Sequence, residues 1–283
     1  MKFRRSMFFI LILILLTGLA CAVPGVSTVS NPAPSTDPGL LNTIVAETVA
    51  AAIVQTQRAS ESLSSPTIVI PATETPAPVN APLEPGSTLS AQNDGTILFH
   101  DEKAKLQMNV SPGWLPVRIN QTEYYDAFSL PEAADPAVQA ALAKINDLDP
   151  NFFRLFIYDL QDGHHLNGFV TNINVIWNIQ GTINLNDDRD IKNVAESLPT
   201  SVPNLTVKST SIGTTVNAIP YGVVLSEIPG KTDSGADILL VQKQVYLNLS
   251  IGSLVLTFTT DDAIKDATMP FFDSMVDSLQ IMQ

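Results

Sequence analysis

The chain of 283 residues has one cysteine, at position 21. A disulfide framework needs cysteines in pairs, and a thiolate zinc site needs several, so neither holds this protein together. Aromatic residues are missing over a long stretch: no Phe, Tyr or Trp stands between Ala22 and Leu98, whereas both tryptophans and all five tyrosines come later. Any sizeable core therefore belongs to the second part of the chain. Positive charge is scarce, with 15 Lys and Arg against 28 Asp and Glu and a formal net charge of −13. Such a surface repels nucleic-acid phosphates and anionic headgroups, which excludes nucleic acid as the expected partner. No apolar run reaches the eighteen or so residues of a membrane span.

What the first residues do contain is ordered. Lys2, Arg4 and Arg5 precede an unbroken apolar run over 7–16, and Thr17, Gly18, Leu19 and Ala20 lead into Cys21. Ten apolar residues in a helix reach about 15 Å, half of a ~30 Å hydrocarbon core. The pattern is that of a secretory signal peptide over 1–20. Small and apolar residues directly before the cysteine resemble the lipobox of bacterial lipoproteins, although Gly18 stands where that family prefers Leu. The resemblance implies that Cys21 is acylated, becomes the mature N-terminus, and ties the chain to the outer face of a bacterial membrane. More than one acyl chain anchors stably where a single chain does not. Loss of Lys2, Arg4 and Arg5 with the signal leaves 12 basic against 28 acidic groups.

Residues 21–93 read as a linker. Half of the twenty prolines fall between Pro24 and Pro85, among Ser, Thr, Ala and Val, a composition that leans towards extended polyproline II. Within it, 40–62 lacks Pro and Gly and reads as a short amphipathic helix, with Leu41, Ile44, Val45, Thr48, Val49, Ala52 and Ile53 on one side.

From 94 to 283 the alternation is mainly that of strands. Residues 96–100 and 105–110 predict a hairpin turned at Asp101, Glu102 and Lys103. Further strands are predicted over 114–119, 124–130, 152–159, 171–179 and 218–228, with a closing hairpin of 238–249 and 253–260. Helices are predicted over 136–145 behind Asp135, over 191–198 capped by Asp188 or Asp190, and over 262–279, where Pro270 begins a fresh helix. Consecutive strands with few helices indicate an α+β fold, a mostly antiparallel sheet flanked by helices. Ser111, Pro112, Gly113 and Trp114 after a first hairpin, the late pair of long strands, and Thr259, Thr260 and Asp261 leading to the run 272–279 resemble the PsbP-like fold. That resemblance implies an α/β/α sandwich over roughly 96–281, with binding or assembly roles rather than catalysis. The helical insertion at 135–151 is larger than the resemblance implies and leaves the strand order there open.

Candidate chemistry is sparse. His164 and His165 follow Asp162 and Gly163 and are the candidate metal ligands; His100, followed by Asp101 and Glu102, is the third histidine. Adjacent strand residues point to opposite faces, so the pair serves one ion only from a loop. Solvated turn histidines are the plainer reading. Asp147, Asp149 and Asn151 begin like a calcium loop, but Phe152 replaces the turn glycine and Tyr158 the closing Glu. No nucleophile elbow, phosphate loop or zinc-protease motif is present. The expectation is thus a non-enzymatic module without cofactor, held to the membrane through Cys21 and binding an envelope protein. A small-ligand or metal-binding lipoprotein and an envelope enzyme of unrecognised type are the alternatives.

Overall fold

The computed structural model describes residues 86–282 except 166, 233 and 234. Cys21, the 40–62 helix and the Pro-rich stretch up to 85 lie outside the described residues. The elements are strands β1 (Ser87–Ala91), β2 (Ile97–Asp101), β3 (Leu106–Val110), β4 (Trp114–Val117), β5 (Phe153–Asp159), β6 (Asn172–Asn178), β7 (Thr206–Thr214), β8 (Pro220–Lys231), β9 (Asp237–Asn248), β10 (Ser253–Asp261) and β11 (Gln280–Ile281). The helices are α1 (Thr122–Ala127), α2 (Pro136–Lys144), α3 (Arg189–Ser201) and α4 (Lys265–Asp277). Two sheets form, ordered β1-β2-β3-β11 and β4-β5-β6-β10-β9-β8-β7. Every neighbouring pair is antiparallel. The fold is α+β, with antiparallel sheets flanked by helices.

Alternation divides the large sheet between two cores. Leu155, Ile157, Ile173, Val175, Val245, Leu247, Leu254, Leu256 and Phe258 face one side, against α4 and the small sheet. Phe156, Tyr158, Ile176, Val224, Tyr246 and Val255 face the other, against α1, α2 and α3. One outer layer therefore combines a helix with a second sheet, where the sandwich expectation had helices alone. Trp114 and Trp177 are both buried, as core residues.

The middle of the α1–α3 face is polar. Asn174, Thr257 and Gln244 stand side by side on β6, β10 and β9, with Ser226 and Gln242 in the neighbouring row. All five are buried, and each keeps one side-chain atom without a hydrogen-bond partner.

Four local predictions need correction. The strand predicted over 124–130 is mostly helix α1, because Tyr124 and Ala127, three apart, are its buried residues and Glu123 pairs with Arg118. The linker does not extend to 93: Ser87–Ala91 is the edge strand paired with β2. Neither Asp188 nor Asp190 caps α3 with its side chain; Asp188 pairs with Lys192 at 2.6 Å, and Asp190 accepts from the backbone N–H of Asn184. Pro270 lies inside α4 and does not start a new helix; the preceding break is a 3-10 turn, Asp262–Ile264, capped by Asp261. By contrast, Asp135 does cap α2, accepting from the Ala137 N–H at 2.7 Å, with Pro136 at the first helical position.

Candidate functional site

Antiparallel pairing places chain turns at the two ends of the large sheet. At one end β5 finishes, β6 begins and β10 finishes. The Asp162–Gly163 turn, with Gly163 at φ 81°, brings both histidines back over the last residue of β5. His164 Nδ1 lies 2.6 Å from Asp159 Oδ2, and His165 Nε2 lies 2.8 Å from the Asp159 backbone carbonyl, to which it donates. His165 Nδ1 faces Asp135 Oδ2 at 3.7 Å. The Asp159 carboxylate is fully buried and also accepts from the Gln161 N–H at 3.1 Å. The histidines are in a loop, as a shared role would need. They are not solvated turn residues: their side chains are 19% and 16% exposed, and they strap the loop to the strand.

Next to this strap, Asn167 donates to Asp261 at 2.9 Å, and the buried hydroxyls of Thr171, Thr260 and Thr268 form a chain with steps of 2.9 and 3.2 Å. The arrangement leaves His164 Nε2 and His165 Nδ1 as the ring nitrogens able to meet a ligand. A carboxylate on the far nitrogen is the usual support of a metal-bound imidazole, and His164 has it. Among the described residues, however, no group of three or more His, Cys, Asp and Glu side chains is arranged to hold a metal ion. His100 is far from the pair, with its Nε2 3.1 Å from Met282 Sδ. The calcium-like segment has Asp149 spent on the backbone and side chain of Asn151, at 2.8 and 3.2 Å.

The opposite end of the sheet hides charge. Arg154, at a bulge early in β5, donates Nε to Asp101 Oδ2 at 2.6 Å and Nη2 to Oδ1 at 3.1 Å, with both side chains essentially buried. Its guanidinium lies 5.8 Å from the centre of the Trp177 ring, and Asp101 also accepts from the N–H groups of Lys103 and Ala104. Asp101, expected at the turn of the first hairpin, locks the small sheet to the large one.

Two surfaces were not legible as sites in the sequence. One is aromatic: Tyr124 is buried under α1 while Tyr125 and Phe128 are 59% and 42% exposed, their rings edge-on to Tyr124 at 5.3 and 5.4 Å. The other is aliphatic: Ile179, Val216 and Ile251 stand exposed on turns at the end of the sheet near Arg154. Burial pushes the phenols of Tyr158 and Tyr246 strongly up, and holds those of Tyr124 and Tyr221 above their ordinary value to a smaller degree. Among the described residues no helix is long and apolar enough to cross a membrane.

No protein-family model matches the chain, and no curated protein matches it. Among solved structures, it is similar to the cyanobacterial PsbP (CyanoP) of Synechocystis at 12% identity, TM-score 0.41, over 73% of this chain and 99% of that one. It is also similar to LpqN of Mycobacterium tuberculosis, described as involved in cell envelope biogenesis, at 13% identity, TM-score 0.36, over 70% and 91%. A third likeness, to a protein of unknown function from Pseudomonas aeruginosa, has 15% identity and TM-score 0.29 over 39% and 72%.

Proposed function

We propose that this chain is an extracytoplasmic lipoprotein, anchored through acylated Cys21, whose globular domain is a non-catalytic binding or assembly module for a cell-envelope protein. The 7–20 run and the lone cysteine behind it support the anchor, and residues 22–85 supply the tether. The observation that carries the binding role is the aromatic patch on α1. Two exposed rings rest on a buried third, so they present large apolar area at little further cost in side-chain freedom, as interface anchors do. The exposed Asp126 and Glu132 are their neighbours in sequence, which suits a partner with a basic rim.

Photo-crosslinking from position 126 or 129, both exposed beside the two rings, in native membranes tests the role. A discrete protein adduct is expected, lost in Tyr125→Ser with Phe128→Ser while thermal stability is kept. An adduct unchanged by those substitutions, or a hydrolytic or transferase activity abolished by a single side-chain change, overturns it. The anchor is read separately: radioactive palmitate should label the native chain and leave Cys21→Ser unlabelled.

A further inference from the structure

Charge is distributed along this chain in a way that the fold turns into a surface. Residues 171–186, 209–226 and 244–260 contain no Asp, Glu, Lys or Arg. These stretches are parts of the inner and edge strands together with three turns: β6 to α3, β7 to β8, and β9 to β10. All three turns lie at the end of the large sheet where β6 and β9 finish and β8 and β10 begin. Their tips carry Ile179, Val216 and Ile251, at 57%, 77% and 45% exposure. At the other end the turns carry Asp162, the Lys231–Asp237 pair, and Asp262 with Lys265 and Asp266.

The aliphatic tips are held in place by the fold. Trp177 Nε1 donates to the Ile251 carbonyl at 2.8 Å, and Gly252, at φ 79°, presses so closely on the Asn178 carbonyl that a β-carbon there would collide. Asn217 Nδ2 donates to the Leu279 carbonyl at 2.8 Å, which pins the turn bearing Val216 to the C-terminal segment.

The N-terminal segment joins the domain at this same end. Ser87 accepts a hydrogen bond from Arg118, just past the end of β4, and the Gly86 carbonyl accepts from Glu102 N–H at 2.8 Å. Glu102 and Lys103, of opposite sign, flank the entry.

We propose that this end seats its aliphatic tips in the headgroup layer of a neutral, zwitterionic bilayer; the inference rests on the anchored reading. Exposed Ile and Val tips on uncharged stretches are not the aromatic and arginine anchors of a protein interface. They need only a surface that accepts apolar side chains without demanding charge, and the acidic remainder of the domain keeps anionic lipid away. A tether of this length and composition keeps the domain close to the surface that carries its anchor, so that weak insertion suffices.

The test uses the chain from position 21, with Cys21→Ser and a hexahistidine tag at its start, held on phosphatidylcholine vesicles by chelating lipid. Both cores lie within 86–282, so the chain keeps its fold. Ile251→Trp should be quenched by bromine on the acyl chains near the headgroups, and Asp162→Trp, at the far end, should not. Without the chelating lipid, Ile179→Asp with Ile251→Asp should lower partitioning onto the same vesicles by about tenfold. Equal quenching at both positions, no quenching at 251, or a contact at 251 that forms only with membrane proteins present overturns the proposal. Because the tag replaces the acyl chains, these outcomes leave the Cys21 anchor to the palmitate experiment.

Discussion

The two ends of the large sheet handle charge in opposite ways. Where β5 and β10 finish, charged residues stand on the outer turns, and beneath them the loop is strapped to buried carboxylates, His164 and His165 to Asp159 and Asn167 to Asp261. Where β5 begins, the ion pair of Arg154 with Asp101 is withdrawn inside, and the stretches that carry Ile179, Val216 and Ile251 outside are uncharged. The difference teaches that an acidic protein need not be acidic on every side. A buried, hydrogen-bonded pair fastens the two sheets without showing its charges, and leaves that end free for apolar contact.

Breaking the hidden pair should have the largest effect. Asp101→Ala leaves the Arg154 guanidinium without its carboxylate and two backbone N–H groups without an acceptor, and is expected to cost about 3–5 kcal/mol in urea unfolding. Replacing both partners together, Asp101→Ala with Arg154→Met, should restore part of that loss. Alkaline pH probes both halves of the sheet at once, through Tyr158 near the charged end and Tyr246 near the uncharged one. Their folded pKa values are raised by burial, so the unfolded chain ionises first, near pH 10. Stability is therefore complete below pH 10 and falls above it, by about 1 kcal/mol per group for each further pH unit. Phenolate absorbance of these two should appear only together with loss of near-ultraviolet circular dichroism. At the charged end, Asp159→Ala removes the acceptor for His164 and Gln161, and about 1–3 kcal/mol of loss is expected. Midway between the ends, Thr257→Val removes a buried hydroxyl with no partner and should stabilise the fold by up to about 1 kcal/mol.

Much of the fold was legible because the strands of the central sheet are buried on both faces and bounded by turns. The predicted 152–159, 171–179 and 253–260 fall on β5, β6 and β10 within a residue or two at each boundary. The 135–151 insertion is a short helix, α2, followed by turns, and its strand neighbours β4 and β5 pair directly. What escaped is instructive. β1 and β7 are exposed edge strands rich in Ser and Thr, so they carry no alternation of burial to read. In α1 the aromatic spacing imitates a strand over so few residues that period two and period 3.6 cannot be told apart. The histidine pair was visible, but not its partners: Asp159 is five residues away and Asp135 thirty, and only the turn and the packing of α2 bring them together. Asp101 and Arg154 are 53 positions apart and look, in one dimension, like any two surface charges.

By itself the sequence determined where a core can form: the stretch from Ala22 to Leu98, without aromatics and rich in Pro, cannot supply one, and the strand-rich remainder can. These follow from composition and periodicity, which act locally. The tertiary structure alone decided which acids became buried acceptors and which turns share an end of the sheet. Burial and end-to-end alignment are set by pairing register between segments distant in the chain, and no local property of the residues encodes that.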